Sequence, residues 1–157
     1  MGVNKLAVVR IRGDPGLKKE VRDTLKMLNL DRPNQCTVIS DESTYRGMLE
    51  KCKEVVTWGG LDSEVFERLL LERGEFEGGE TVSDESVDER TSFDSVEDIA
   101  ESICEGDLSL SDVEDLKCVF RLHPPKKGYN SVGRSFENGG AKGFTGDKIN
   151  DLIMRMI

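Results

Sequence analysis

The sequence predicts an α+β fold: one small sheet covered by two helices, followed by an extension of helices and loops. Three observations carry this. Residues 5–12 alternate, with Leu6 and Val8 on one side and Ala7, Val9 and Ile11 on the other, as in a strand buried on both faces. Two further short apolar runs, residues 36–39 and 55–58, read as strands. Between the three runs lie two stripes at helical spacing, first Leu17, Val21, Leu25 and Leu28, then Tyr45, Met48, Leu49 and Cys52. Strand, helix, strand, helix and strand thus fill residues 1–60, and residues 61–157 form the extension.

Taken in order, the first strand ends at Arg10 and Arg12, where the chain leaves the sheet. Asp14-Pro15-Gly16 reads as a helix N-cap followed by proline at the first helical position. Lys18, Lys19, Arg22 and Lys26 lie off the apolar stripe, as either a solvated face or a second contact with nucleic acid. Ser40 or Asp41 is placed to cap the second helix. Gly47 falls in its middle, where glycine is ~1 kcal/mol less favourable than alanine. Such a glycine marks close approach of a partner to the backbone, and Arg46 stands beside it. Gly59-Gly60 ends the third strand.

In the extension, Ser63 caps a helix bearing Val65, Phe66, Leu69 and Leu70. Residues 74–91, rich in Gly, Glu, Asp and Ser, read as an exposed acidic loop. Ser95, with Asp98 three residues on, opens another helix carrying Val96, Ile99, Ala100 and Ile103. Residues 111–116 suggest one more helical turn. Residues 117–122 alternate as a late strand, and Ile149, Leu152, Ile153 and Met156 mark a terminal helix capped by Thr145 or Asp147.

The net charge of −9 argues at first against a nucleic-acid partner. The acids are concentrated, however. Residues 72–107 hold 14 acids and 2 bases, a balance of −12, which leaves +3 for the rest. The positive balance is clearest in residues 121–144. Arg121, Lys126, Lys127, Arg134 and Lys142 stand there against Glu137 alone, with His123 beside them and Tyr129, Phe136 and Phe144 interspersed. Five glycines suggest a loop without regular structure that lets a partner come close. Cations, aromatic rings and glycines suit a chain that lies along phosphates and touches unpaired bases. A solvated loop with incidental charges is the plainer reading of the same composition.

Catalytic chemistry has little support. His123 is the single histidine, next to two prolines, and no serine or cysteine has a base at a recognisable spacing. Residues 139–148 are glycine-rich but lack the Gly-Lys-Ser/Thr of a phosphate-binding loop. Cys36, Cys52, Cys104 and Cys118 form no C-x-x-C pair, so reduced thiols in a cytosolic protein are expected, with no metal or other cofactor. No apolar run approaches the ~18 residues needed to cross a membrane, and the N-terminus has no signal-peptide architecture.

Val9-Arg-Ile-Arg-Gly13, Asp23-Thr-Leu-Lys-Met-Leu-Asn-Leu30 and Tyr45-Arg-Gly-Met-Leu49 resemble the universal large-subunit ribosomal protein "thirty" family, whose eukaryotic counterpart is called L-seven. Arg121-Leu-His-Pro-Pro125, Gly139-Gly140 and the final short helix resemble its archaeal and eukaryotic form. The resemblance implies a ferredoxin-like βαβαβ core with a three-stranded sheet and no enzymatic activity. It implies large-subunit ribosomal RNA and neighbouring ribosomal proteins as partners, with the five-S ribosomal RNA close by, in cytoplasmic ribosomes. The resemblance carries RNA contacts over to Arg10, Arg12, Arg46 and the tail cations Arg121, Lys126, Lys127, Arg134 and Lys142. Gly47, His123, Tyr129 and Phe144, singled out above from the residues themselves, complete the expected RNA-binding set. A different class of function remains open, a free-standing protein-interaction module working through the acidic loop.

Overall fold

The computed structural model describes residues 5–13, 15–105, 108–129, 131–135 and 139–157. β1 (Lys5–Arg10) is its centre. It pairs antiparallel with β2 (Gln35–Ser40) on one side and β3 (Val56–Gly60) on the other, so that Val8 faces Thr37 and Trp58 across the two ladders. α1 (Lys19–Met27) and α2 (Ser43–Lys51) connect these strands. This is the expected ferredoxin-like βαβαβ core. The alternation in β1 sorts its side chains as anticipated. Leu6 and Val8 join Leu25, Leu28, Leu49 and Trp58 in the core beneath α1 and α2. Ala7, Val9 and Ile11 join the core on the other face.

That other face is covered by the extension. α3 (Ser63–Arg73), α4 (Asp84–Arg90), α5 (Val96–Glu105) and α6 (Lys148–Met156) contribute Phe66, Leu69, Val87, Ile99, Ile103, Ile149 and Ile153 to one cluster with the sheet. The stripes in α3, α5 and α6 run as read from their spacing. Ser95 caps α5 by accepting from the Asp98 N–H at 3.2 Å.

The sheet is wider than three strands. β4 (Phe120–Arg121), β5 (Ser131–Ser135) and β6 (Gly140–Phe144) extend it to the order β4-β2-β1-β3-β6-β5. β6 runs parallel to β3, with Thr57 opposite Gly143 and Trp58 opposite Phe144. The glycine-rich tail therefore carries two strands, against the expectation from its composition. The edge of β3 offers main-chain partners, and pairing outweighs the weak strand preference of glycine. Gly59 lies inside β3 rather than ending it. A Cβ there would stand 1.9 Å from the Gly146 carbonyl oxygen, so glycine is what lets the turn before α6 lie on the strand.

The acidic stretch is also folded. Glu75 bridges to Thr81 and Phe76 to Leu116, and α4 follows with a capping box between Ser83 and Ser86. Phe76, Val82 and Val87 are buried, and the Arg90 guanidinium sits 5.0 Å from the centre of the Phe76 ring. Three apolar residues spaced among the acids are enough to dock the segment while its charges face water.

Helix starts differ most from the sequence reading. α1 begins at Lys19, because Gly16 takes φ +81°, which cannot lie in a first helical turn. Asp14 lies outside the described residues. Neither Ser40 nor Asp41 caps α2, whose cap position is Glu42, and Asp41 pairs with Arg46 instead. Residues 111–116 hold part of a single 3-10 turn, Leu110–Asp112.

Candidate nucleic-acid interface

One end of the sheet collects chain from four directions. β1 finishes there, β2 and β3 start there, and β4 leaves there. Main-chain bonds lock the junction: Asn34 N–H to the Arg10 carbonyl (2.7 Å), Ile11 N–H to that of Val55 (2.8 Å), and Leu122 N–H to that of Asn34 (3.0 Å). The end of β4 and the loops at this junction carry Arg12, Arg32, Lys53, Arg121, His123, Lys126 and Lys127, all exposed. The second of two adjoining depressions passes from Asp31 and Arg32 to Arg121, while the first brings Lys19, Arg22 and Lys26 together with Asp23 and Asp31. The cations of α1 are thereby continuous with those of the junction.

Arg10 departs from the expected set. It is 1% exposed, and its guanidinium donates to the carbonyls of Arg12 and Leu30, each at 2.8 Å. It ties the end of β1 to the chain after α1 and presents no surface cation. Lys142, half-buried, donates to Glu54. That hydrogen bond holds the Glu54 carboxyl below its ordinary range. Slight desolvation opposes the shift, and the charges of Lys142, Lys53 and Arg12 add to it. Tyr129 is half-buried with its hydroxyl donating to Asn34 Oδ1 at 2.6 Å, and burial pushes its phenol well up. Phe144 is 59% exposed and stands beside Trp58 in register. The Arg134 side chain lies outside what the structure describes, as do Phe136 and Glu137.

The opposite end of the sheet is acidic. β1 begins there with Lys5, which is buried and donates to Ser40 Oγ at 3.0 Å. Asp41, Glu42, Asp62 and Asp112 surround that end. Arg46 is exposed there, hydrogen-bonded to Asp41 at 2.5 Å, and this bond is the main reason the Asp41 carboxyl titrates below its usual range. Gly47 faces open space, with nothing within 4 Å of where a Cβ would stand. Arg46 and Gly47 are thus a strand's length away from the other expected residues. Arg32 and Lys53 are the converse: sequence reasoning passed over both. Each flanks a strand start that abuts the end of β1, and that adjacency was the signal available.

Among the described residues, no group of three His, Cys, Asp or Glu is placed to hold a metal ion. None of their helices is long and apolar enough to cross a membrane. Burial pushes the Cys36 thiol up to about 12 and the Cys52 thiol to about 11, which suits packing rather than nucleophilic chemistry.

A small α+β platform with a basic end is a form well suited to a ribonucleoprotein. Residues 6–56 match the family model described as ribosomal protein L30p/L7e. The large ribosomal subunit protein uL30 of Methanopyrus kandleri is 46% identical over 149 residues, covering 94% of this chain and 100% of that protein. Its counterpart in Methanosphaera stadtmanae is 44% identical over 151 residues, 96% and 99% of the two chains. That of Thermoplasma volcanium is 40% identical over 152 residues, 97% and 92%. The chain belongs to the uL30 family of large ribosomal subunit proteins, whose members are structural components rather than enzymes.

Proposed function

We propose that the protein is a structural constituent of the large ribosomal subunit that binds ribosomal RNA through the basic end of its sheet. Charge segregation carries this reading. Exposed cations from separate stretches, Arg12, Arg32, Arg121, Lys126 and Lys127, converge on one end, while the acids occupy the other end and the face of α4 and α5. Each cation that meets a phosphate releases condensed counterions, so binding here is electrostatic and positional. Residues 1–60 supply the platform, and residues 61–157 add β4, the basic turn at 126–128 and the acidic exterior. Lys142 completes the set when a phosphate replaces Glu54 as its partner. Neighbouring ribosomal proteins, and the five-S ribosomal RNA at this edge, are the further partners on this reading, in cytoplasmic ribosomes.

The experiment is fractionation of a lysate on a sucrose gradient, followed by blotting for the protein. Co-migration with the large subunit, released only by high salt, is expected. A protein that stays at the top of the gradient at low salt contradicts the assignment and favours a free-standing interaction module.

A further inference from the structure

Between α6 and the outer part of the sheet lies a cleft of about 230 Å³, whose lining includes Tyr129, Ala141, Thr145, Lys148, Asp151 and Arg155. Sites for drug-sized ligands occupy ~300–1,000 Å³, so this cleft fits a single ring system. Its walls are held in place. The Tyr129 hydroxyl is fixed on Asn34, Thr145 Oγ1 donates to the Trp58 carbonyl at 3.2 Å, and Thr57 Oγ1 donates to that of Gly143 at 3.0 Å. Arg155 Nη1 donates to the carbonyls of Lys126 (3.2 Å) and Gly128 (3.3 Å). The floor of the cleft is therefore joined to the turn that displays Lys126 and Lys127. Lys148 is exposed at the other end of α6. The result is a preformed slot with Tyr129 in its wall and a cation at each end of α6, Arg155 on the side joined to the basic end of the sheet and Lys148 on the side toward Gly60.

We propose that this cleft takes one unpaired nucleobase of an RNA strand whose phosphates lie on Lys126, Lys127 and Lys148. The inference rests on the RNA-binding reading and goes beyond it. Phosphate contacts alone accept any backbone, whereas a slot for a ring selects single-stranded or bulged RNA, because a base in a duplex is already stacked and paired.

The test uses Asp151→Trp, which fills the mouth of the cleft from an exposed helical position, with Asp151→Asn as the control for lost charge. Ala141→Trp fills it from β6. The probes are a mixed-sequence single-stranded RNA oligonucleotide and the RNA duplex of the same sequence. Both tryptophan variants are expected to bind the single strand about tenfold more weakly than wild type, the scale of one lost base–aromatic stacking contact. On the duplex, and in salt dependence, Asp151→Trp matches Asp151→Asn and Ala141→Trp matches wild type, and Asp151→Asn is no weaker than wild type. Equal single-strand affinity for Asp151→Trp and Asp151→Asn overturns the proposal, as does an equal loss on both probes, which would place the effect on the phosphate path. If wild type binds neither probe, the RNA-binding reading fails, and the cleft proposal with it.

Discussion

Arg10 and Gly59 are structural where the sequence suggested a contact and a strand end. Arg10 closes two carbonyl acceptors inside the sheet end, and Arg10→Ala leaves them unpaired beside a void. We expect a loss of about 2–4 kcal/mol in unfolding free energy, measured as a lowered urea midpoint. Gly59→Ala forces a Cβ against main chain and should lose at least about 3 kcal/mol by the same assay. Wild-type stability in that variant would mean that the turn at Gly146 does not rest on β3. Gly47→Ala meets open space on an exposed helix and should gain roughly 0.5–1 kcal/mol. Cys36 gives a pH signature. Burial favours its neutral thiol and raises its pKa from 9.0 to about 12. A raised pKa stabilises the fold fully below pH 9.0 and loses that contribution as pH rises toward 12. Cys36→Ala should flatten the decline of the urea midpoint above pH 9.0. An unchanged slope would show that the thiol is not shielded in this way.

Among the elements, the strands and helices of the core were legible because each has a clean period, 2 in β1 and 3.6 in α1, α2, α5 and α6. The acidic segment was not, since Phe76, Val82 and Val87 are too sparse to show a period, and only packing makes them core. Replacing residues 78–88 with a neutral linker would therefore remove two buried valines and a capping box, and thermal melting should fall by many degrees. Ser83→Ala alone should lose about 1 kcal/mol. A linker variant that melts like wild type would return the segment to the status of a loop. β5 and β6 were illegible for a different reason: β6 pairs with β3 across a long stretch of chain, Thr57 opposite Gly143, β5 pairs in turn with β6, and glycines mask strand propensity. The terminal helix was visible, but what anchors it was not. Asn150, buried, donates to the Gly60 and Asp147 carbonyls and accepts from the Asp62 N–H. Asn150→Ala should lose roughly 1–3 kcal/mol, with hydrogen exchange in α6 accelerated relative to α1.

At the scale of the whole molecule, a chain of net charge −9 separates its charges along β1, basic at the Arg10 end and acidic at the Lys5 end. The candidate site was half legible. Arg12, Arg121, His123, Lys126 and Lys127 do come together, because β4 delivers the tail to the end of β1. Arg46 and Gly47 go to the other end because α2 starts where β2 finishes, a consequence of strand direction that residue spacing does not encode. The division predicts orientation: RNA meets the basic end, and the acidic face of α4 and α5 points away from it. The most direct measurement is a salt titration of affinity for large-subunit ribosomal RNA, comparing wild type, a variant with Arg32, Arg121, Lys126 and Lys127 changed to alanine, and Arg46→Ala. Each lost phosphate contact removes about 0.7–0.9 from the log–log slope, so the quadruple variant should be flatter by up to about three units. Arg46→Ala should run parallel to wild type, and melting should barely change because the altered side chains are exposed. A quadruple variant whose slope matches wild type, or an Arg46→Ala slope that flattens instead, would contradict the account.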